Sequence, residues 1–136
     1  AMTYGHVYVA QVAMGANPPP LLNPMREAAA WDGAALIIAY APCIAHGIDM
    51  RDVQEIEKDA VQCGYFPLYR YHPANGLMLD SKAPDGDFQA FLMRQGRFAA
   101  LRRSDPAKSE TLCKMAEEAA RRRWNLLKML KNREMT

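Results

Sequence analysis

The sequence predicts an α/β protein, built as a partial parallel sheet with flanking helices and a helical C-terminal tail. Three observations carry that prediction. Tyr4–Met14 (YGHVYVAQVAM) is rich in valine and tyrosine and reads as a strand, polar-aromatic at its start and apolar later. Ala35–Tyr40 (ALIIAY) is an apolar run with no polar break, the signature of a strand buried on both faces. A helix-length stretch separates the two, and strand, helix, strand over so short a span is a βαβ unit with its strands parallel.

Each element follows from local chemistry. A central strand opening almost at the first residue suggests that further sequence precedes it. Asn17 can cap a helix, and Pro18-Pro19-Pro20 fit a first turn, whose N–H groups have no partner anyway. Pro24 would cost a hydrogen bond inside a helix, so either the helix kinks there or it restarts with Asn23 as its cap; the favoured expectation is a loose turn and then a helical body from about Pro24 to Trp31. Asp32-Gly33 stops it. Pro42 ends the second strand, because proline has no N–H for the ladder. Asp49 then caps a helix from Met50 to about Cys63 with Val53, Ile56, Ala60 and Val61 on one face, and Gly64 closes it.

A further βα crossover returns the chain to the sheet at Leu68–Tyr71. The Asn75-Gly76 turn follows, and then a short extended piece, Leu77–Asp80. Asp87 caps a helix with Phe88, Phe91, Leu92 and Phe98 inward, weakened by Gly96. Ser104-Asp105-Pro106 breaks it and starts the last helix, with Pro106 in the first turn. That helix lines up Leu112, Met115, Ala119, Leu126, Leu127 and Leu130 on one stripe. Residues 1–85 are therefore expected to form the α/β part and residues 86–136 a helical extension packed on it.

Composition narrows the function classes. With 136 residues, half of them hydrophobic, the chain suits one domain with a real core. No apolar run approaches the roughly 20 residues of a membrane span, and no signal peptide is evident. Three cysteines without a CxxC pair offer no disulfide framework and point to a reducing, cytoplasmic setting. Charge is uneven: residues 1–85 hold 5 Lys/Arg against 9 Asp/Glu, and residues 86–136 hold 12 against 6. A basic tail could meet an acidic protein or form a solvated helix face. No nucleic-acid motif accompanies it.

Candidate chemistry concentrates at Cys43, just past the carboxyl end of the second strand, where open α/β sheets place their sites. Cys43 and His46 form a C-x-x-H, half of a zinc site at best, and Cys63, Cys113, His6 and His72 supply no second pair. Nucleophilic catalysis would need a base and an orienting group brought together in space. The plainer alternative is a small buried hydrophobe, which also suits Cys63 and Cys113. His72 reads as a turn residue, the tyrosines as sheet aromatics, and Arg121-Arg122-Arg123 as the solvent side of the last helix. The chain has no Gly-rich phosphate loop, nucleophile elbow or paired-carboxylate motif.

Four segments add a family resemblance: YGHVYVAQVAMGAN (Tyr4–Asn17), LIIAYAPCIAHGI (Leu36–Ile48), CGYFPLYRYHP (Cys63–Pro73) and LDSKAPDGDFQAFLMRQGRFAAL (Leu79–Leu101). In order and spacing they resemble the C-terminal end of pyruvate:ferredoxin (flavodoxin) oxidoreductases, large single-chain 2-oxoacid oxidoreductases. The resemblance implies the last part of a thiamine-diphosphate-binding α/β domain plus its C-terminal tail. Its parent would bind thiamine diphosphate, Mg²⁺ and three 4Fe–4S clusters, convert pyruvate and coenzyme A to acetyl-CoA, pass electrons to ferredoxin or flavodoxin, and form a homodimer. The diphosphate motif, the cluster-binding domain and the pyruvate- and CoA-recognising domains would all lie upstream.

One site residue carries over. Within Ala41-Pro42-Cys43-Ile44-Ala45-His46-Gly47, the cysteine matches the family's fourth ligand to the 4Fe–4S cluster nearest the thiamine, so the resemblance implies a metal-ligand role for Cys43. It transfers no role to His46 or Cys63. The proline pattern at positions 18–24 is richer than the family's helix would suggest, and the basic last helix follows the family loosely. The resemblance thus implies a fragment inactive by itself. A different class is a stand-alone, non-catalytic protein-binding module derived from that domain, its basic helix docking an acidic partner such as ferredoxin.

Overall fold

The computed structural model describes residues 1–16 and 18–133. Strands β1 (Tyr8–Val12), β2 (Ala35–Ala39), β3 (Tyr69–His72) and β4 (Gly76–Leu79) form one sheet in the order β2-β1-β3-β4. Helices α1 (Pro18–Ala30), α2 (Val53–Gln62), α3 (Phe88–Met93), α4 (Gly96–Ser104) and α5 (Pro106–Arg133) flank it. The βαβ unit is present: β1 and β2 are parallel, in register from Tyr8 opposite Ala35 to Val12 opposite Ala39. β1 is the buried strand, its Tyr8, Val9, Ala10 and Val12 at 3 % exposure or less. The fold class is therefore mixed α/β with a partly parallel sheet.

The return to the sheet differs from the expected crossover, because β3 runs antiparallel to β1, with Val9 opposite Tyr71 and Gln11 opposite Tyr69. A helix that delivers a parallel strand must carry the chain back to the starting end of the sheet. The ten residues of α2 instead pack on the turn just after β1, where the buried Glu57 carboxylate accepts the Gly15 N–H at 2.5 Å. The chain leaves α2 through Gly64, which has φ +79°, and re-enters the sheet from that same end. The Asn75-Gly76 turn then closes the β3–β4 hairpin, with the Asn75 N–H donating to His72 O at 3.0 Å.

Three packing expectations are corrected. β2 is not buried on both faces: it is the outermost strand, with Leu36 and Ile38 exposed at 42 % and 38 %. α1 starts at Pro18 and runs through Pro24, so Asn23 is no cap, and the capping expectation for Asn17 lies outside the described residues. Pro24 is buried, and that burial offsets the hydrogen bond proline removes. The last helix buries only part of its expected stripe, Leu127 lying inside as expected. Ser109, Cys113, Ala120, Trp124 and Leu127 are buried, while Leu112, Met115 and Leu126 face outward. Gln89 on α3 ties the two helices together by donating to Cys113 O at 3.2 Å and to Glu117 at 2.7 Å.

Capping chemistry behaves as expected elsewhere. The Asp87 carboxylate accepts the Ala90 N–H at 2.9 Å at the start of α3, and Asp49 accepts the Arg51 N–H at 2.9 Å in the short 3₁₀ turn that leads into α2. The helix expected to run through Gly96 instead breaks, and α4 starts at Gly96 after Gln95, whose side chain makes no capping hydrogen bond. The main core joins Ile48, Ile56, Phe88, Phe91, Leu92 and Cys113, with Tyr40, Tyr65 and Phe66 packed against it.

Candidate functional site

Because β1 and β2 are parallel, their carboxyl ends lie on one edge of the sheet, and the loops leaving them form the candidate site. Tyr40 follows β2 and keeps the ladder going for one more bond, its N–H donating to Val12 O at 2.9 Å. Its ring packs on Phe66 with centroids 5.0 Å apart, and burial pushes its hydroxyl up to about 12. Pro42 stops the ladder. Cys43 then stands in extended conformation at the head of a 3₁₀ turn, Ile44–His46, in which His46 N–H donates to Cys43 O at 2.9 Å.

The loop is clamped from outside. Gly47 has φ +71°, and its N–H closes the turn on Ile44 O at 2.9 Å. Its carbonyl accepts the N–H of Gly96, the first residue of α4, at 3.2 Å. A β-carbon on Gly47 would stand 2.6 Å from the Gly96 α-carbon, and one on Gly96 would stand 2.9 Å from the Gly47 α-carbon. Two glycines 49 positions apart therefore hold the Cys43 loop against α4. The sequence marks Gly96 only as a weak point in a helix, and nothing local pairs it with Gly47.

Cys43 is exposed, so the reading of it as a buried packing residue does not hold. Cys63 and Cys113 are buried, as packing residues should be. Burial pushes the Cys63 thiol up to about 11, which keeps it protonated and inert near neutrality. The structure does not bring these cysteines to Cys43. Among the described residues no group of three or more His, Cys, Asp or Glu is placed to hold a metal ion. A 4Fe–4S cluster takes four thiolates, so these residues fit it as a source of one ligand and no more.

The loop after β1 is held as tightly. Glu57 is 2 % exposed, and a β-carbon on Gly15 would lie 2.0 Å from Gln54 O. The sequence offers a signal for Glu57 that is easy to pass over: a carboxylate between Ile56 and Ala60 on the apolar face of α2. Beneath the loops, Arg70 on β3 pairs with Glu27 on α1 and donates to Asp80 at 2.8 and 3.0 Å, and the Tyr8 hydroxyl donates to Glu27 at 2.9 Å. This network joins α1, β1, β3 and the end of β4 and fixes the sheet that aims the loops.

The basic tail is partly neutralised on its own helix. Arg121 pairs with Glu117 and Arg122 with Glu118 at helical spacing, and Arg123 donates to Tyr65 O at 2.6 Å. Apart from Glu117, which is 26 % exposed, the side chains of these two i,i+4 pairs are mostly in solvent, and pairs of this kind contribute about a few tenths of a kcal/mol.

Fold and site together define an α/β segment whose parallel strand ends present one exposed thiol on a clamped loop. No family model matches the chain. It is 47 % identical to the pyruvate:ferredoxin oxidoreductase of Moorella thermoacetica, over 96 % of this chain and 12 % of that protein. It is 45 % identical to the pyruvate-flavodoxin oxidoreductase of Klebsiella pneumoniae, over 98 % of this chain and 12 % of that protein. A pyruvate dehydrogenase [NADP(+)] of Cryptosporidium parvum is 43 % identical over 78 % of the chain and 6 % of its own length. The chain belongs to the pyruvate:ferredoxin/flavodoxin oxidoreductase family, and spans about 12 % of the length of the Moorella and Klebsiella relatives.

Proposed function

We propose that the chain is part of a longer 2-oxoacid oxidoreductase that oxidatively decarboxylates pyruvate to acetyl-CoA and delivers electrons to ferredoxin or flavodoxin. The observation that carries this reading is similarity of 40–47 % across nearly the whole chain to relatives named for pyruvate oxidation with ferredoxin or flavodoxin. In this reading residues 1–85 complete a thiamine-diphosphate-binding α/β domain, and residues 86–136 form its helical extension. Thiamine diphosphate, Mg²⁺, coenzyme A and the remaining cluster ligands are held by the rest of that protein, which works as a homodimer in the cytoplasm. No helix among the described residues is long and apolar enough to cross a membrane.

Within that protein Cys43 supplies one thiolate to a 4Fe–4S cluster. Such a cluster, when bound, accepts and passes single electrons. This chain's contribution is positional: Pro42 ends the strand, the 3₁₀ turn presents the sulfur outward, and the Gly47–Gly96 contact limits loop movement. The clamped loop would hold this thiolate in one place for the cluster, whose potential responds to hydrogen bonds to its sulfurs and to solvent exposure.

Iron analysis and low-temperature EPR of the longer protein test the reading. Cys43→Ser is expected to remove or destabilise one cluster, while Cys63→Ala leaves the cluster signals in place. Unchanged iron content and unchanged EPR of reduced Cys43→Ser protein refute the ligand role. The 136-residue chain alone, holding one of four thiolates, is expected to bind no cluster and to reduce no viologen dye with pyruvate.

A further inference from the structure

We infer that Arg97 is an electrostatic component of the Cys43 site, its guanidinium fixing a positive charge beside the loop that favours the reduced, more negative state of the cluster Cys43 ligates. The inference deepens the proposed ligand role of Cys43 and rests on it. Arg97 lies against both ends of that loop. At the far end its neighbour Gly96 donates its N–H to Gly47 O at 3.2 Å. At the near end Arg97 Nη2 donates to the Tyr65 hydroxyl at 3.3 Å, and the Tyr65 ring packs edge-on to Tyr40 with centroids 6.3 Å apart. Tyr40 feels the same charge: burial raises the pKa of its hydroxyl, and Arg97 draws it partly back. Tyr40 and Gly47 bracket Cys43 in the chain.

Local rules are broken to put the charge there. Arg94, just past α3, meets Asp59 and Glu55, whereas the partners of Arg97 among the described residues are all neutral. They are the Tyr65 hydroxyl, Gln95 Oε1 at 3.1 Å from Nε, and the Phe98 ring, its centroid 4.7 Å from the guanidinium carbon. Glu57, the carboxylate on the Tyr40 side, is taken up by the Gly15 N–H. Arg97 is also the second residue of α4, where a cation opposes the positive end of the helix dipole. Gln95 is fully buried, and its Nε2 has no partner among the described residues. Because Arg97 Nε–H can only donate, the Gln95 amide turns its oxygen to the arginine and leaves its NH₂ unsatisfied, at the full desolvation penalty. Conflicts of this kind mark functional sites. The guanidinium and the α4 dipole bring the same sign of charge to the loop. That suits a centre held by four thiolates, whose negative charge grows on reduction.

Redox titration of the longer protein, followed by low-temperature EPR, tests this. The cluster to follow is the one whose signal Cys43→Ser removes. In Arg97→Gln its midpoint potential is expected to move to a more negative value, the ratio of reduced to oxidised cluster at a fixed potential falling about threefold or more, while the other clusters keep their midpoints. Gln95→Glu supplies the missing carboxylate and leaves Arg97 in place, so it should move the same midpoint in the same direction. Arg97→Lys keeps the charge and should stay near the native value. An unmoved midpoint in Arg97→Gln overturns the inference, as does an unmoved midpoint in Gln95→Glu where Arg97→Gln does not fold. An equal shift in Arg97→Lys and Arg97→Gln also overturns it, because it assigns the effect to lost packing. If Cys43→Ser removes no cluster signal, the ligand role of Cys43 fails instead, which is a separate result.

Discussion

Gly47→Ala tests the clamp on the Cys43 loop, and its size can be worked from the structure. An L-residue at φ +71° costs about 1–2 kcal/mol relative to glycine. The new β-carbon would also stand 2.6 Å from the Gly96 α-carbon and 2.9 Å from its nitrogen. Both are backbone atoms, so no rotamer change relieves the overlap, and overpacking of this kind costs about 1–3 kcal/mol. The sum is about 2–5 kcal/mol. Gly5→Ala is the control, since Gly5 has φ +74° and nothing within 4 Å of its β-carbon position, leaving only the conformational cost. Urea unfolding of the two variants gives the difference, assigned to the Gly47–Gly96 contact. The Cys43 thiol should also react with a disulfide reagent at a changed rate in Gly47→Ala and an unchanged rate in Gly5→Ala. Equal destabilisation by the two substitutions refutes the clamp.

Two further predictions concern the scaffold. Arg70→Met leaves Asp80 and Glu27 without their shared cation; the Arg70 and Asp80 side chains are only 15 % and 13 % exposed, so the loss should be about 2–4 kcal/mol in urea unfolding, discounted for the third of Glu27 in solvent. Adding Asp80→Asn should recover part of it, and no recovery argues against charge as the cause. Stability should also fall as pH rises from about 9: Cys63 is raised from 9.0 to about 11, and burial raises Tyr8, Tyr40 and Tyr69 above 10.0, so the unfolded chain gives up these protons first. Cys63→Ala should flatten the decline between pH 9 and 11, and an unchanged slope there removes the thiol from the explanation.

Elements with local causes were legible in the chain. The Asp87 cap, the Asn75-Gly76 hairpin, Gly64 after α2 and Pro106 at the head of α5 all follow from what one residue does to its own backbone. The position of Cys43 past the end of a parallel strand was legible for the same reason, because Pro42 terminates β2 wherever β2 sits. Its exposure was not, since a free cysteine of that kind is as often packed inside. The buried face of α5 was hidden because two apolar stripes compete on that helix. The buried stripe joins Ser109, Cys113 and Ala120 to Trp124 and Leu127, and periodicity alone does not rank it against the stripe with Leu112 and Met115.

By itself the sequence determined the βαβ unit, the strand end that presents Cys43 and the kinship with pyruvate oxidoreductases, all consequences of order along the chain. Tertiary structure alone decided that β3 runs antiparallel to β1, that Gly96 meets Gly47, that Glu57 holds Gly15, and that β2 lies at the sheet edge. Those facts depend on which distant surfaces meet. A strand such as ALIIA has the same local preference whether it is covered or bare, and only the neighbours it finds determine which it becomes.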